Sequence, residues 1–226
     1  ATKIYPNSFG LKQIILDLEF TKKEKLKVIG NGSSNGINTA YFDKSIISDK
    51  EKKNIKDSLQ IKKVDFIFIF VGRIVADKGI NELVSAFCKL NKLQDNIKLL
   101  LVGSYEKELD PLESITEQQI LKNKNIIVTG WKTDVRPYFA ISNVLVFPSY
   151  REGFPNVVLQ AGSMKLPCIV TNINGCNEII TEQENGMIIP VKNKDALVNS
   201  MIKMLALNRK DLEVMGEASR DMIVSK

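Results

Sequence analysis

Phe66-Ile-Phe-Ile-Phe-Val71, followed at once by Gly72-Arg73-Ile-Val-Ala-Asp-Lys78-Gly79, decides how this chain folds. Six consecutive β-branched or aromatic residues without polar alternation read as a strand buried on both faces, the habit of a parallel sheet. Ile80–Leu93 then carries apolar residues at helical spacing. A buried strand, a glycine-bounded loop and a helix make the first half of a β-α-β unit.

The same alternation continues to the end of the chain. It predicts strands over Ile97–Val102, Ile126–Thr129, Val144–Phe147, Cys168–Thr171 and Met187–Pro190. It predicts helices over Glu113–Leu121, Asp134–Ile141, Asn156–Lys165, Lys194–Leu207 and Asp211–Val224. Right-handed crossovers then place helices on both faces. The expected fold class is α/β, a doubly wound, Rossmann-like parallel sheet over residues 37–226. Residues 1–36 lack this rhythm. Tyr5–Phe20, a Lys/Glu-rich piece and the turn Val28-Ile-Gly-Asn-Gly-Ser-Ser-Asn-Gly36 read as the tail of a preceding domain plus a linker.

Composition narrows the chemistry. The 226 residues, 44% hydrophobic and 26% charged, suit a globular domain able to bury a core unaided. No apolar run approaches the ~20 residues a membrane helix needs, and the opening ATKIYPNSFG lacks a signal-peptide layout; a cytoplasmic location is expected. The absence of histidine excludes a Ser-His-Asp or Cys-His site within these residues, and any His-ligated metal. Cys88, Cys168 and Cys176 are an odd set without C-x-x-C spacing, read as small hydrophobes in a reduced compartment. The net charge of +6 gathers at Lys22, Lys23, Lys25 and Lys27 and at Lys50, Lys52 and Lys53. These read as solvated faces, with an anionic membrane surface as the competing reading. Nucleic acid is not expected, because no binding motif or interleaved aromatics accompany the charge. No P-loop is present. Gly30, Gly32 and Gly36 miss the dinucleotide fingerprint by one residue. No cluster has metal-ligand spacing.

In a doubly wound sheet, ligands bind beyond the carboxyl ends of the strands, so the loops after strands are where chemistry is sought. Gly72, Arg73 and Lys78 lie on the first such loop, where two cations beside helix-start amides suit a diphosphate. Ordinary surface charge is the alternative. The second candidate is Pro148-Ser-Tyr-Arg-Glu152-Gly153-Phe154-Pro155-Asn156-Val157-Val-Leu-Gln160, after the strand Val144–Phe147. Pro155 suits a first helical turn, and Gly153 permits close backbone approach or an unusual backbone angle. Amides around Phe154, Asn156 and Val157 would face an anion. Glu152 could accept hydrogen bonds from sugar hydroxyls or simply mark a helix start. Asn156 and Gln160 share a helix face. Gly103-Ser104 and Gly130-Trp131-Lys132 end two further strands at the same edge; Trp131 either faces a base or packs against the protein. Asn174-Gly-Cys-Asn-Glu178 adds a weaker loop carboxylate.

The order Gly72-Arg73…Lys78-Gly79, Val102-Gly103, Thr129-Gly130-Trp131, Phe147-Pro148-Ser149…Glu152-Gly153-Phe154-Pro155 and Asn174-Gly175…Glu178 resembles the C-terminal, donor-binding domain of the family-4 retaining glycosyltransferases, which have the GT-B fold. The resemblance covers about residues 27–220. It implies metal-independent transfer of a sugar, with retention, from a nucleotide donor to an acceptor hydroxyl. The donor is expected to be UDP-linked and the product a surface polysaccharide or lipopolysaccharide; no cofactor is implied. By the same resemblance Arg73 and Lys78 neutralise the leaving diphosphate. Glu152, the first glutamate of the family's Glu-x7-Glu motif, contacts donor-sugar hydroxyls. Amides near Phe154 to Val157 hold phosphate or sugar, and the Gly130-Trp131 loop meets the base. The second motif glutamate falls on Gln160, which costs a charge-assisted bond to the ribose.

The family's acceptor-binding N-terminal domain usually supplies a histidine. Lys3–Phe20 resembles its last strand and helix, and the resemblance implies that the family's final crossing helix lies beyond these residues. These residues alone are therefore expected to bind donor without transferring sugar. Peripheral contact with the inner membrane face is a further expectation. Two other readings stay open: a nucleotide-sugar epimerase or hydrolase of the same fold, and a non-catalytic nucleotide-sugar- or membrane-surface-binding module, favoured by Gln160 and the lysine clusters.

Overall fold

The computed structural model describes residues 1–106 and 108–225. At its centre β1 (Phe66–Val71) runs between β2 (Ile97–Val102) and β4 (Val144–Phe147), parallel to both. Ile67, Phe68, Ile69 and Phe70 are fully buried, so the uninterrupted apolar run is explained by layers on both faces. Outward from β2 lies β3 (Ile126–Gly130); outward from β4 lie β5 (Cys168–Thr171) and β6 (Gly186–Ile189). The six parallel strands are ordered β3-β2-β1-β4-β5-β6, and the order reverses between β1 and β4. That reversal is the crevice where doubly wound sheets place ligands.

The helices are α1 (Phe9–Asp17), α2 (Asp49–Ser58), α3 (Ile80–Asn91), α4 (Ser114–Lys122), α5 (Arg136–Ile141), α6 (Asn156–Ser163), α7 (Cys176–Ile179), α8 (Lys194–Ala206) and α9 (Arg209–Val224). Right-handed crossovers send α3 and α4 to one face and α6 and α7 to the other. The helix layers are knit by α3 against α8, α6 against α9 and α2 against α5. Local chemistry starts several helices. The side chains of Ser8, Ser48, Asn193 and Asn208 accept from the main-chain N–H of Leu11, Glu51, Ala196 and Asp211, satisfying otherwise unpaired donors.

The strand and helix expectations hold with shifts of a few residues at element ends. Two elements were not expected. The Lys50–Lys53 cluster sits on α2, and α7 is a single turn. Helix α6 starts at Asn156 as expected, with Pro155 at its cap rather than inside its first turn. Cys168 and Cys176 are buried and Cys88 is half-buried, all as free thiols. Burial pushes each thiol above its ordinary range.

The N-terminal residues are not a loose tail. Ile4 pairs in parallel with Leu26 across α1. The following stretch is pinned to α9, where Arg220 Nη2 meets Asp43 Oδ2 at 2.7 Å and Nη1 donates to Phe42 O at 3.1 Å.

Candidate functional site at the carboxyl edge of the sheet

The loop after β1 ends in a 3-10 turn, Ala76–Lys78, closed by Gly79 at φ +72°. A Cβ on Gly79 would lie 2.2 Å from Pro148 O, so this loop presses on the one that follows β4. Tyr150 N donates to Asp77 O at 2.8 Å, which fixes the two loops side by side.

That contact delivers Lys78 to Glu152. Lys78 Nζ donates to Glu152 Oε1 at 2.6 Å, and the two side chains keep only 14% and 16% of their exposure. Ser149 Oγ donates to the same oxygen at 2.8 Å. A third loop braces the pair: Thr171 Oγ1 donates to Ser149 O, and Asn174 Nδ2 to Glu152 O. Among the described residues, Glu152 Oε2 receives no hydrogen bond, and an ammonium has three donors of which Lys78 uses one on Glu152. The pair can therefore hold a hydroxyl on one side and an anion on the other.

Arg73 is drawn the other way. Its Nη1 meets Glu106 Oε2, on the loop after β2, at 2.9 Å. The hydrogen bond that Arg73 donates to Glu106 holds the guanidinium above its ordinary range, and the charges of Glu106, Asp77 and Glu152 add to it. Arg73 thus shares the electrostatic neighbourhood of Glu152 without touching it. Both partners are substantially exposed, at 48% and 34%, and such pairs contribute little; a phosphate can displace Glu106 at small cost.

The start of α6 has no side-chain cap. The N–H groups of Phe154, Asn156 and Val157 have no acceptor among the described residues. Helix-start amides left bare in this way favour an anion. The side chain of Asn156 turns aside, with Ser33 Oγ 3.4 Å from its Oδ1. Val157 is partly buried against the core, and Val158, Ala161 and Met164 lie within it. Gln160 is half-buried.

Gly103 packs directly on Gly72: at φ +153°, an added Cβ would fall 1.8 Å from Gly72 O. Gly103 N donates to Gly130 O at 3.1 Å, and Ser104 O accepts from Ile74 N at 2.8 Å. These bonds align the ends of β1, β2 and β3. Trp131 is 70% exposed, so it is not packed away among the described residues. Lys132 Nζ lies 5.9 Å from the Tyr138 ring centroid. Gly130, Trp131 and Lys132 follow β3 and Glu152 follows β4, with β2 and β1 between them, so any one ligand reaching both must be extended along the edge.

Several partnerships at this edge escaped the sequence reading. Glu178 is not a free loop carboxylate: it accepts from Phe9 N at 2.7 Å, Gly10 N at 2.9 Å and Gly175 N at 3.1 Å. Gly153 lies close against the Asn7 side chain: a Cβ there would fall 2.7 Å from Asn7 Nδ2, so that side chain would have to shift. Asn7, Ser33 and Glu178 together dock the N-terminal segment onto the start of α6 and α7. Between them lies a cavity of about 280 Å3, lined by Ser33, Phe154, Glu178 and Ile223 among others. Only tertiary structure brings these residues together, and no local spacing signals it. Asp77 Oδ1 is buried without a partner among the described residues, while its Oδ2 lies 3.6 Å from Arg151.

Comparison with known proteins places the fold and the family. The family model described as glycosyl transferases group 1 matches residues 51–222. The capsular polysaccharide biosynthesis glycosyltransferase CapM of Staphylococcus aureus is 34% identical over 232 residues, covering 100% of this chain and 58% of that protein. The UDP-Gal:alpha-D-GlcNAc-diphosphoundecaprenol alpha-1,3-galactosyltransferase of Escherichia coli is 29% identical over 217 residues, covering 95% of this chain and 53% of that protein. The chain thus spans little more than half the length of these relatives. Among solved structures, a glycosyltransferase from Rickettsia africae superposes with a TM-score of 0.84 at 22% identity, covering 99% of this chain and 59% of that one. Anabaena HepE in complex with UDP and glucose gives 0.82 at 18%, covering 100% and 59%. At such identities the superpositions establish the fold, that of GT-B glycosyltransferases.

Proposed function

The chain belongs to the glycosyl transferases group 1 family, and on that premise we propose that it is the nucleotide-sugar-binding half of a glycosyltransferase acting in surface polysaccharide or lipopolysaccharide assembly. The donor is a UDP-linked sugar, transferred to an acceptor hydroxyl with retention and without a metal. The observation that carries this reading is the Lys78–Glu152 pair at the β1/β4 crevice, with Arg73 on the same loop. The names of the relatives support the donor and pathway: one uses UDP-Gal, and another builds a capsular polysaccharide.

The chemistry follows from the geometry. Transfer breaks the bond between the sugar's anomeric carbon and the diphosphate oxygen, and negative charge grows on the leaving group. Lys78, Arg73 and the bare amides of α6 supply fixed positive charge where it develops, which is the most effective form of stabilisation in a preorganised site. Glu152 Oε2 accepts from sugar hydroxyls and sets the sugar's orientation. Gln160 hydrogen-bonds the ribose diol as a neutral group, and exposed Trp131 stacks on the base, with Gly130 and Lys132 beside it. The acceptor glycan or lipid-linked sugar is held by a preceding domain. Tyr5, Phe9, Leu18 and Phe20 are exposed and offer that domain an apolar seat. These residues alone bind donor but do not transfer sugar. The enzyme works in the cytoplasm, peripheral to the inner face of the membrane; no helix among the described residues is long and apolar enough to cross one.

Calorimetry with UDP tests the proposal. The wild-type chain should bind, and Arg73→Ala with Lys78→Ala should lose most of the affinity. Equal binding by the double variant would reject the phosphate roles.

A further inference from the structure

The edge of the sheet opposite the donor site carries a second charged recess. Six lysines and Arg209 surround a cavity of about 430 Å3, with Asp65 and Glu213 as the two carboxylates in its wall. Lys44 reaches it from the 3-10 turn Lys44–Ile46, Lys52 and Lys56 from α2, and Lys165 from the turn before β5. Asn143 and Pro167, just before β4 and β5, also line it. The recess therefore lies one strand length, roughly 20 Å, from the loops that carry Arg73 and Glu152.

The charges here are not balanced. Lys52 pairs with Asp49 at 3.1 Å, Lys53 with Asp57 at 2.5 Å, Lys165 with Glu217 at 2.7 Å and Arg209 with Glu213 at 2.8 Å. Those carboxylates face solvent, at 99%, 58%, 54% and 62% exposure, so the pairs neutralise little. Among the described residues, the ammonium groups of Lys44, Lys56 and Lys63 make no hydrogen bond and no close ion pair, although Glu213 acts on Lys44 and Asp65 on Lys56 from farther away. Lys44 is half-buried. Loss of water holds its ammonium below the ordinary lysine range, and the charges of Lys52, Lys165 and Lys56 push the same way, partly offset by Glu213. Lys56 is lowered by burial, against the pull of Asp65.

Crowding like charges around a cavity and desolvating one of them weakens the free fold. An entering anion reverses that cost, and its binding free energy then stabilises the folded state. No aromatic residue lines the recess, unlike the stacking grooves that take single-stranded nucleic acid. Ammonium groups converging from four chain segments, with Ser142 and Asn143 beside them, fit a small group bearing many acceptor oxygens. We propose that this recess binds a compact anionic phosphate group, independently of the donor site. The phosphate can be free or the headgroup of an anionic lipid, and the experiment separates the two.

Inorganic pyrophosphate is titrated calorimetrically into the Arg73→Ala/Lys78→Ala chain, which removes the competing phosphate site, and then into the same chain carrying Lys44→Met and Lys56→Met. In parallel, both chains are sedimented with phosphatidylglycerol vesicles and with phosphatidylcholine vesicles. Pyrophosphate should bind the first chain, and the methionine pair should weaken it by about tenfold or more. Binding to phosphatidylglycerol vesicles alone, with the same dependence on Lys44 and Lys56, assigns the phosphate to a lipid headgroup. Methionine keeps the lysine's apolar stem, and removing a crowded charge should hold or raise the melting temperature. If Lys44→Met unfolds the chain, Lys56→Met with Lys63→Met carries the same test. Absence of both kinds of binding, or binding unchanged by the methionines, overturns the proposal.

Discussion

Lys78 and Glu152 lie 74 residues apart in sequence and 2.6 Å apart in space. Their bond ties the loop after β1 to the loop after β4 at the point where the sheet reverses its order. A cation and a carboxylate are thereby fixed side by side at the mouth of the crevice. The pair does structural and functional duty together, and substitutions can separate the two.

Lys78→Met leaves Glu152 half-buried without its cation, and should cost about 1–3 kcal/mol of stability. Glu152→Gln alone should cost a similar amount. The double variant should lose less than the sum, because neither group is then left unpaired. Urea unfolding of the four chains measures this; strict additivity would mean that the pair is not coupled.

Gly103→Ala should be among the most damaging single changes at the site. Its Cβ would meet Gly72 O at 1.8 Å in a backbone conformation that alanine avoids. Strain and clash together should cost about 3 kcal/mol or more and misalign the ends of β1 and β2. A melting temperature and UDP affinity like those of wild type would contradict the packing described.

The fold was legible because its signals are local. Phe66–Val71 announces a doubly buried strand by composition alone, and the repeated strand–helix alternation dictates the sheet. The site was legible as far as its loops, since any loop after a parallel strand reaches the same edge. Pairing was not legible. Nothing near Arg73 says that it reaches Glu106 rather than Glu152, and nothing near Glu178 points to the amides of Phe9 and Gly10. Such partners are chosen by tertiary packing across long sequence separations. Helix α2 was missed for the opposite reason: in Asp49–Ser58 only Ile55 is apolar, so the helical period is almost silent. The Ser48 cap was its clearest sign.

Glu178→Ala should free the N-terminal segment without unfolding the sheet. It removes the acceptor of the Phe9 and Gly10 amides, and bonds to a charged acceptor are worth about 1.5–3 kcal/mol. Hydrogen exchange at Phe9 and Gly10 should accelerate while β1 stays protected. Unchanged exchange there would show that Glu178 does not hold the segment.

Stability should fall in acid partly through Asp43. Its carboxyl is held below the ordinary range by hydrogen bonds from the Ser45 side chain and amide, with the charges of Arg220 and Lys165 adding to them. A native pKa below the unfolded one contributes stability that is complete above about pH 4 and lost as pH falls through the native value. Asp43→Asn should therefore be less stable than wild type at neutral pH, with the gap closing on the acid side of about pH 4. Urea midpoints across that range check it, and a gap independent of pH would contradict the assignment.

The most direct test of the donor site is a crystal structure of this chain with UDP. The account predicts the diphosphate within hydrogen-bond reach of Lys78 Nζ, the Arg73 guanidinium and the first amides of α6, with Arg73 released from Glu106. A diphosphate bound elsewhere, with Arg73 still on Glu106 and the start of α6 bare, would contradict it.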